Sequence, residues 1–262
     1  MKFYKYQGTG NDFIMIDNRK KFFPKEKTDF ITTLCNRNFG IGADGLILLE
    51  EDIETDFRMI YYNSDGNQSS MCGNGGRCIV NFAQKLEIIK KQTTFIATDG
   101  THFAITKKNN VVALQMQNID TIKTAENYVF LNTGSPHHVV LTDYLEDMDV
   151  KTEGAKIRYS NLYQKIAGSN VNFVEQLGEN YFSIRTYERG VENETLSCGT
   201  GSVAVAIAMH ETKKTASNTI KIKTKGGNLM VSFEYKKGNY TNIFLEGTAC
   251  CVFEGNFCIN NL

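Results

Sequence analysis

Two stretches of this chain carry residue types that can do chemistry. They are Met71-Cys72-Gly73-Asn74-Gly75-Gly76-Arg77 and Ser197-Cys198-Gly199-Thr200-Gly201-Ser202. In each, a cysteine stands before a Gly-polar-Gly turn that opens a helical pattern. A thiolate is the reactive form of cysteine, and the start of a helix lowers the pKa of a thiol placed there. Glycine permits a tight turn and lets backbone N–H groups reach a ligand, and those groups favour an anion such as a carboxylate. A substrate carboxylate held by two such starts brings its α-carbon near both sulfurs. One thiolate then takes the α-proton from one face while the other thiol supplies a proton to the opposite face, which inverts the centre. Backbone donors stabilise the charge that spreads onto the carboxylate, by roughly 3 kcal/mol per donor.

The elements around these stretches repeat. The cysteines are 126 residues apart (198 − 72), close to half of the 262-residue chain. Gly100 and Gly226 share that offset, as do Asn63 and Arg189, and Thr9-Gly10-Asn11 leads Thr133-Gly134-Ser135 by 124. Several matches at nearly one offset point to a duplicated fold. Strands are expected at the alternating N-terminus Met1–Tyr6, at Phe13–Asp17 after the turn Gly8–Asp12, and at Gly45–Leu49, Asp56–Tyr62, Thr94–Ala97, Phe103–Thr106 and Val111–Met116. The second half gives Val129–Leu131, Val139–Leu141, Asn170–Glu175, Phe182–Tyr187, Ile220–Thr224, Leu229–Tyr235 and Ile243–Glu246, with a tail at Cys251–Ile259. A helix from Thr28 is expected to end at Asn38-Phe39-Gly40 in a left-handed cap. A short, weak helical region falls around Asp143–Asn161. The stripe Cys78, Ile79, Phe82, Ala83, Leu86 marks the helix after the first cysteine. Val203–Met209 is apolar at seven successive positions, so the helix after the second cysteine is expected to be enclosed on all sides. The fold class expected is α+β, with two pseudo-symmetric domains, each a highly twisted mixed sheet or barrel around a central helix. The domains are expected at 1–117 and 118–249, with the tail 250–262 packing back on the first.

Composition bounds the partners. Lys+Arg 29 balances Asp+Glu 29, which argues against nucleic acid. No apolar run reaches the length of a membrane span, and no signal-like apolar block opens the chain, so a cytoplasmic protein is expected. Seven cysteines are an odd count, and without export reduced thiols are the default. Cys35, Cys78, Cys250, Cys251 and Cys258 read as small core residues. Their spacings do not suit zinc, so no metal is expected. Neither glycine stretch ends as a P-loop does. His102 and His210 read as surface or packing residues.

Taken in order, Gly8-Thr9-Gly10-Asn11-Asp12-Phe13, Asn63-Ser64-Asp65-Gly66, Met71–Gly75 with Arg77-Cys78, Pro136-His137, Asn170-Val171-Asn172-Phe173, Glu188-Arg189-Gly190 and Cys198–Gly201 resemble diaminopimelate epimerase over nearly the whole chain. The resemblance implies two pseudo-symmetric domains with the active site in the cleft between them, usually in a homodimer. It also implies cofactor-independent interconversion of L,L- and meso-2,6-diaminoheptanedioate, in lysine and cell-wall precursor synthesis. With the L,L form as substrate, it makes Cys198 the proton acceptor and Cys72 the donor. His137 and Glu188 would adjust the thiols. Gly73-Asn74 and Gly199-Thr200 would hold the reacting carboxylate. Asn11, Asn63, Asn170 and Arg189 would read the far amino-acid end, where a carboxylate suits a guanidinium and an ammonium suits amide oxygens. Gly45 and Ser135 depart from the family pattern, which often has Gln and Asn there.

Three other readings stand beside this one. A proline racemase or hydroxyproline epimerase resembles the same fold and thiol pair, but tends to carry His and Pro where this chain has Asn74 and Ser197. A phenazine-pathway isomerase would not need both thiols. A non-catalytic metal- or redox-binding protein would instead hold zinc or a functional disulfide.

Overall fold

The computed structural model describes residues 1–258. The chain divides into two compact units: Met1–Leu114 with the segment that begins at Gly247, and Gln115–Glu246. In chain order the first holds β1 (Lys2–Gly8), β2 (Asn11–Asp17), α1 (Thr28–Cys35), β3 (Gly45–Glu50), β4 (Phe57–Asn63), β5 (Gln68–Ser69), α2 (Gly73–Lys85), β6 (Gln92–Ala97), β7 (Gly100–Thr106) and β8 (Val111–Gln115). The second holds β9 (Ile122–Thr124), β10 (Val129–Asn132), β11 (Pro136–Leu141), α3 (Val150–Arg158), a 3₁₀ turn at Asn161–Ile166, β12 (Asn170–Gly178), β13 (Tyr181–Glu188), β14 (Asn193–Thr195), α4 (Gly199–Glu211), β15 (Thr219–Thr224), β16 (Gly227–Lys236) and β17 (Asn239–Thr248). β18 (Cys250–Asn256) returns to the first unit.

Strand pairing in the first unit runs β18-β1-β2-β3-β4-β6-β7-β8, with β5 beside β4; β2/β3 and β4/β6 are parallel and the other pairs antiparallel. In the second it runs β9-β10-β11-β12-β13-β15-β16-β17, with β14 beside β13; β11/β12 and β13/β15 are parallel. The two orders coincide strand for strand. β18 fills beside β1 the place that β9 fills beside β10.

Each unit wraps its sheet round one helix. α2 packs against β1, β2, β3, β7 and β18, and α4 against β10, β11, β12, β13, β15 and β16. Every residue of α4 from Val203 to Met209 is buried, so its continuous apolar run faces strands all round. Single-face burial governs the strands instead. β15 alternates buried Ile220, Ile222 and Thr224 with outward Lys221 and Lys223.

Four expectations change. α1 ends at Cys35, and its cap Asn36 is extended, not left-handed. Gly40 is required for another reason: a Cβ there would lie 2.0 Å from the Thr33 carbonyl oxygen. The glycines after each cysteine form the first turn of the helix itself, because α2 begins at Gly73 and α4 at Gly199. Gly100 corresponds to Gly227, not Gly226. Each has positive φ and pairs with the residue three before it, Ala97 and Thr224. Among the cysteines, Cys35 and Cys78 are buried, but Cys250 and Cys251 are half-buried on β18 and Cys258 is exposed beyond its end. The expected tail ran to Ile259, which lies outside the described residues.

Candidate active site

The two cysteines occupy the same structural position. Cys72 is extended (φ −96°, ψ 130°) and its carbonyl accepts the Gly76 N–H at 2.7 Å; Cys198 is extended (φ −112°, ψ 115°) and its carbonyl accepts the Ser202 N–H at 3.0 Å. Each is therefore the N-cap residue of a buried thirteen-residue helix, and neither side chain caps it. The N–H groups of the first helical turn have no acceptor inside the helix and carry its positive end.

At the first helix, the Cys72 thiol lies 3.6 Å from Asn11 Oδ1, which also accepts from Asn74 Nδ2 at 3.4 Å. Asn11 Nδ2 donates to Asp44 Oδ2 at 2.7 Å. Asp44 Oδ2 also accepts the Asp12 N–H, and Asp44 Oδ1 pairs with Arg37. Thr9 and Gly10, both with positive φ, make the tight turn that brings Asn11 here. Beneath the helix start, Arg77 is fully buried. Its guanidinium donates to Thr9 Oγ1 and Asn74 Oδ1, each at 2.8 Å, and to the Gly73 carbonyl at 3.3 Å. Burial pushes its pKa down, and the neighbouring thiols Cys78 and Cys72 oppose that.

At the second helix, Thr200 Oγ1 lies 3.5 Å from Cys198 Sγ and 3.0 Å from His137 Nε2. His137 Nδ1 lies 3.1 Å from Asn172 Nδ2. Asn172 Nδ2 also donates to the His138 carbonyl at 3.2 Å, and Asn172 Oδ1 accepts from Thr186 Oγ1 at 3.0 Å. Burial, with the charge of Arg189, brings the pKa of His137 down to about 3. This imidazole is neutral at neutral pH. Thr133 Oγ1 donates to the Thr200 carbonyl at 2.8 Å, the counterpart of Thr9 reaching Asn74.

The glycines of these helix starts make room. A Cβ on Gly75 would lie 2.9 Å from Ile47 Cδ1, and one on Gly201 would lie 2.5 Å from Asn172 Oδ1. Two-residue spacing from each cysteine, one polar side chain between glycines, and a threonine from the first hairpin recur in both units.

The diaminopimelate epimerase family model matches residues 3–121 and 129–252. A protein of Flavobacterium psychrophilum named diaminopimelate epimerase is 65% identical over 254 residues, 97% of this chain and 99% of its own. The chain belongs to the diaminopimelate epimerase family. Among solved structures, a phenazine biosynthesis protein of Bacillus anthracis, of the PhzF family, has a TM-score of 0.78 at 14% identity, covering 99% of each chain. A hydroxyproline epimerase of Agrobacterium vitis with bound trans-4-hydroxy-L-proline has a TM-score of 0.72 at 13% identity, covering 100% of this chain and 93% of its own. Those two likenesses concern fold alone.

In this epimerase-family chain the remaining expected residues fall as follows. Asn63 ends β4, in register with Gly45 of β3. Asn170 Nδ2 donates to Ser135 Oγ at 2.8 Å and to the Pro136 carbonyl at 3.0 Å, while Asn170 Oδ1 accepts the Arg189 N–H at 2.8 Å. Ser135 thus still serves as a hydrogen-bonding partner. Glu188 Oε2 accepts from Thr195 Oγ1 at 2.9 Å. Gly45 has no room for a longer side chain: its Cβ would lie 2.5 Å from the Tyr61 ring and 2.6 Å from the Tyr62 carbonyl oxygen.

Sequence reasoning passed over Thr9, Asp44, Arg77, Asn172 and Glu192 as site residues. Glu192 holds the turn that carries Glu188 and Arg189, accepting from Gly190 N–H, Tyr187 Oη, Tyr159 Oη and Arg158. Burial opposes its ionisation, but these donors bring its pKa down to about 2. The signal for Asn172 was present: an asparagine two residues from Asn170 projects to the same face of a strand. Among the described residues, no group of three or more His, Cys, Asp or Glu is placed to hold a metal ion. No helix among them is long and apolar enough to cross a membrane.

Proposed function

We propose that this chain interconverts L,L- and meso-2,6-diaminoheptanedioate by two-base proton transfer, with Cys198 and Cys72 as the bases. The observation that carries this reading is the equivalence of the two cysteines, each the N-cap of a buried helix whose first-turn N–H groups have no acceptor within the helix. With the L,L form, the Cys198 thiolate takes the α-proton and the C–H electron pair passes toward the carboxylate. The Cys72 thiol then protonates the opposite face and becomes the thiolate, so charge and protons balance. Gly73, Asn74, Gly199 and Thr200 supply the helix-start donors for the reacting carboxylate. Asn11, Asn63, Asn170 and Arg189 read the distal amino acid, and His137 and Glu188 tune the sulfurs. In this reading delocalisation into the carboxylate carries the charge, so pyridoxal phosphate and metal are not needed.

Membership of a biosynthetic family supports a cytoplasmic location in lysine and cell-wall precursor synthesis. A homodimer is expected by the same resemblance, and Val252 and Phe253 expose apolar surface on β18.

The deciding experiment is α-hydrogen exchange in heavy water, with L,L-diaminopimelate and L-proline side by side. Deuterium is expected in diaminopimelate only, in chelator-treated enzyme without added cofactor. Cys72→Ala and Cys198→Ala should each lower epimerisation by at least about a thousandfold while circular dichroism stays unchanged. Exchange into proline alone would transfer the chain to the racemase reading, and full activity in either variant would remove the two-base assignment.

A further inference from the structure

The hydrogen-bond partners of the two thiols differ in one respect that matters for proton transfer: their polarity. Each partner's orientation is settled by a group that can act in one sense only.

At Cys198 the fixed point is the His138 carbonyl, which only accepts. It therefore faces Asn172 Nδ2, and Thr186 Oγ1 donates to Asn172 Oδ1 on the other side. The same Nδ2 then presents hydrogen to His137 Nδ1 at 3.1 Å. His137 Nδ1 is an acceptor, so the proton of the neutral ring is on Nε2. Nε2–H donates to Thr200 Oγ1 at 3.0 Å. The single hydroxyl hydrogen of Thr200 is then available to Cys198 Sγ, 3.5 Å away. Sulfur receives a donor, and a donor favours the thiolate.

At Cys72 the sequence runs the other way. The Asp44 carboxylate accepts from the Asp12 N–H and pairs with Arg37, and it takes hydrogen from Asn11 Nδ2 at 2.7 Å. Asn11 Oδ1 must then face Cys72 Sγ, at 3.6 Å, and Asn74 Nδ2 donates to the same oxygen. Sulfur meets an acceptor, and an acceptor favours the protonated thiol.

We infer that Asn172 and Asp44 are positioning residues that set the resting protonation of the two thiols in opposite senses, Cys198 toward thiolate and Cys72 toward thiol. The inference rests on the two-thiol reading above and adds to it the source of the asymmetry. It explains why two cysteines in the same backbone position take different roles in the first half of a turnover. It also gives Gly201 a purpose, since any Cβ there would displace Asn172 Oδ1.

Two measurements on the intact chain test it without relying on epimerase activity. Two-bond ¹H–¹⁵N spectra of ¹⁵N-histidine protein should show His137 as the Nε2–H tautomer. The pH dependence of iodoacetamide labelling, read by mass spectrometry on the peptides holding each cysteine, should place Cys198 below Cys72. Asn172→Asp replaces a donor by an acceptor, so His137 turns to the Nδ1–H form and Thr200 donates to the ring. The Cys198 midpoint is then expected to rise by about one pH unit, the worth of one hydrogen bond to a charged group. Asp44→Asn releases Asn11 to turn its amide toward sulfur, and the Cys72 midpoint is expected to fall. Opposite shifts from two polar substitutions are not what a general loosening produces. An Nδ1–H tautomer in the unmodified protein overturns the inference, as does an unmoved Cys198 in folded Asn172→Asp or a Cys72 that stays or rises in Asp44→Asn. Should Asn172→Asp not fold, the tautomer and the Asp44→Asn shift decide. Failure of the exchange assay with these shifts intact would remove the substrate and leave the thiol asymmetry standing.

Discussion

His137 and His138 sit side by side on β11, and both are held as neutral rings. Burial brings His138 to a pKa of about 4, with Tyr128 stacked on it at 4.5 Å and Tyr163 bonded to Nδ1. His137 lies at about 3. In the unfolded chain both would titrate at about 6.5. Above that pH the two states bind the same protons and these rings leave stability unchanged. As pH falls below about 6.5 the unfolded state takes up protons that the native state refuses, so stability falls. Near pH 5 the slope contributed approaches two protons, about 2.7 kcal/mol per pH unit. Chemical denaturation followed from pH 7.5 to pH 5 should show this loss, and His138→Gln should remove close to half of it. A stability that is flat across this range would mean that these rings are not buried as described.

At the scale of elements, glycines after the cysteines decide how close a helix start can come to a strand. Gly201→Ala should cost about 1–3 kcal/mol, as overpacking does, because the contact at 2.5 Å is to a fully buried amide. Gly201→Ala should lower the urea midpoint, while Gly100→Ala, with open space but positive φ, should cost about 1 kcal/mol through backbone strain alone. Equal losses would mean that the contact is relieved by a small shift. These glycines also show where the sequence could be read and where it could not. Periodicity located β1 to β4, the stripe of α2 and the enclosed α4, because burial on one face or on all faces leaves a pattern. A Gly-Asn-Gly-Gly run reads locally as a turn, since much of its requirement for small residues comes from the strand residues Ile47 and Leu114, distant in sequence. β5, β9 and β14, of two or three residues, are too short to show a period. Cysteine spacing singled out the two helix starts at which the proposed chemistry is placed. Arg77 and Asn172 stand in the sequence only as members of longer motifs; Thr9 for the one, and His137 and Thr186 for the other, give them a place at the helix starts.

On the scale of the whole chain, one strand order is built twice, and the two versions are completed differently. β9 comes just before β10 and flanks it, whereas β1 is flanked by β18, drawn from more than two hundred residues later. β18 matches six residues of β1, covers Phe3 with Phe253 at a ring distance of 6.0 Å, and touches α2. Deleting the chain from Cys250 onward should therefore weaken the first unit by several kcal/mol, on the order of 3–5, and leave the second intact. Hydrogen exchange should show lost protection in β1 and α2 with protection kept in α4. Uniform loss across both units would mean that they unfold as a single cooperative body.

The late arrival of β18 also orders events during synthesis. The residues of the second unit are contiguous and can fold once they clear the ribosome. The first unit is made earlier, yet its β1 edge stays open until β18 emerges. For most of translation the nascent chain therefore presents an unpaired strand edge that bears Tyr4 and Tyr6, and it is this half that a chaperone would have to shelter.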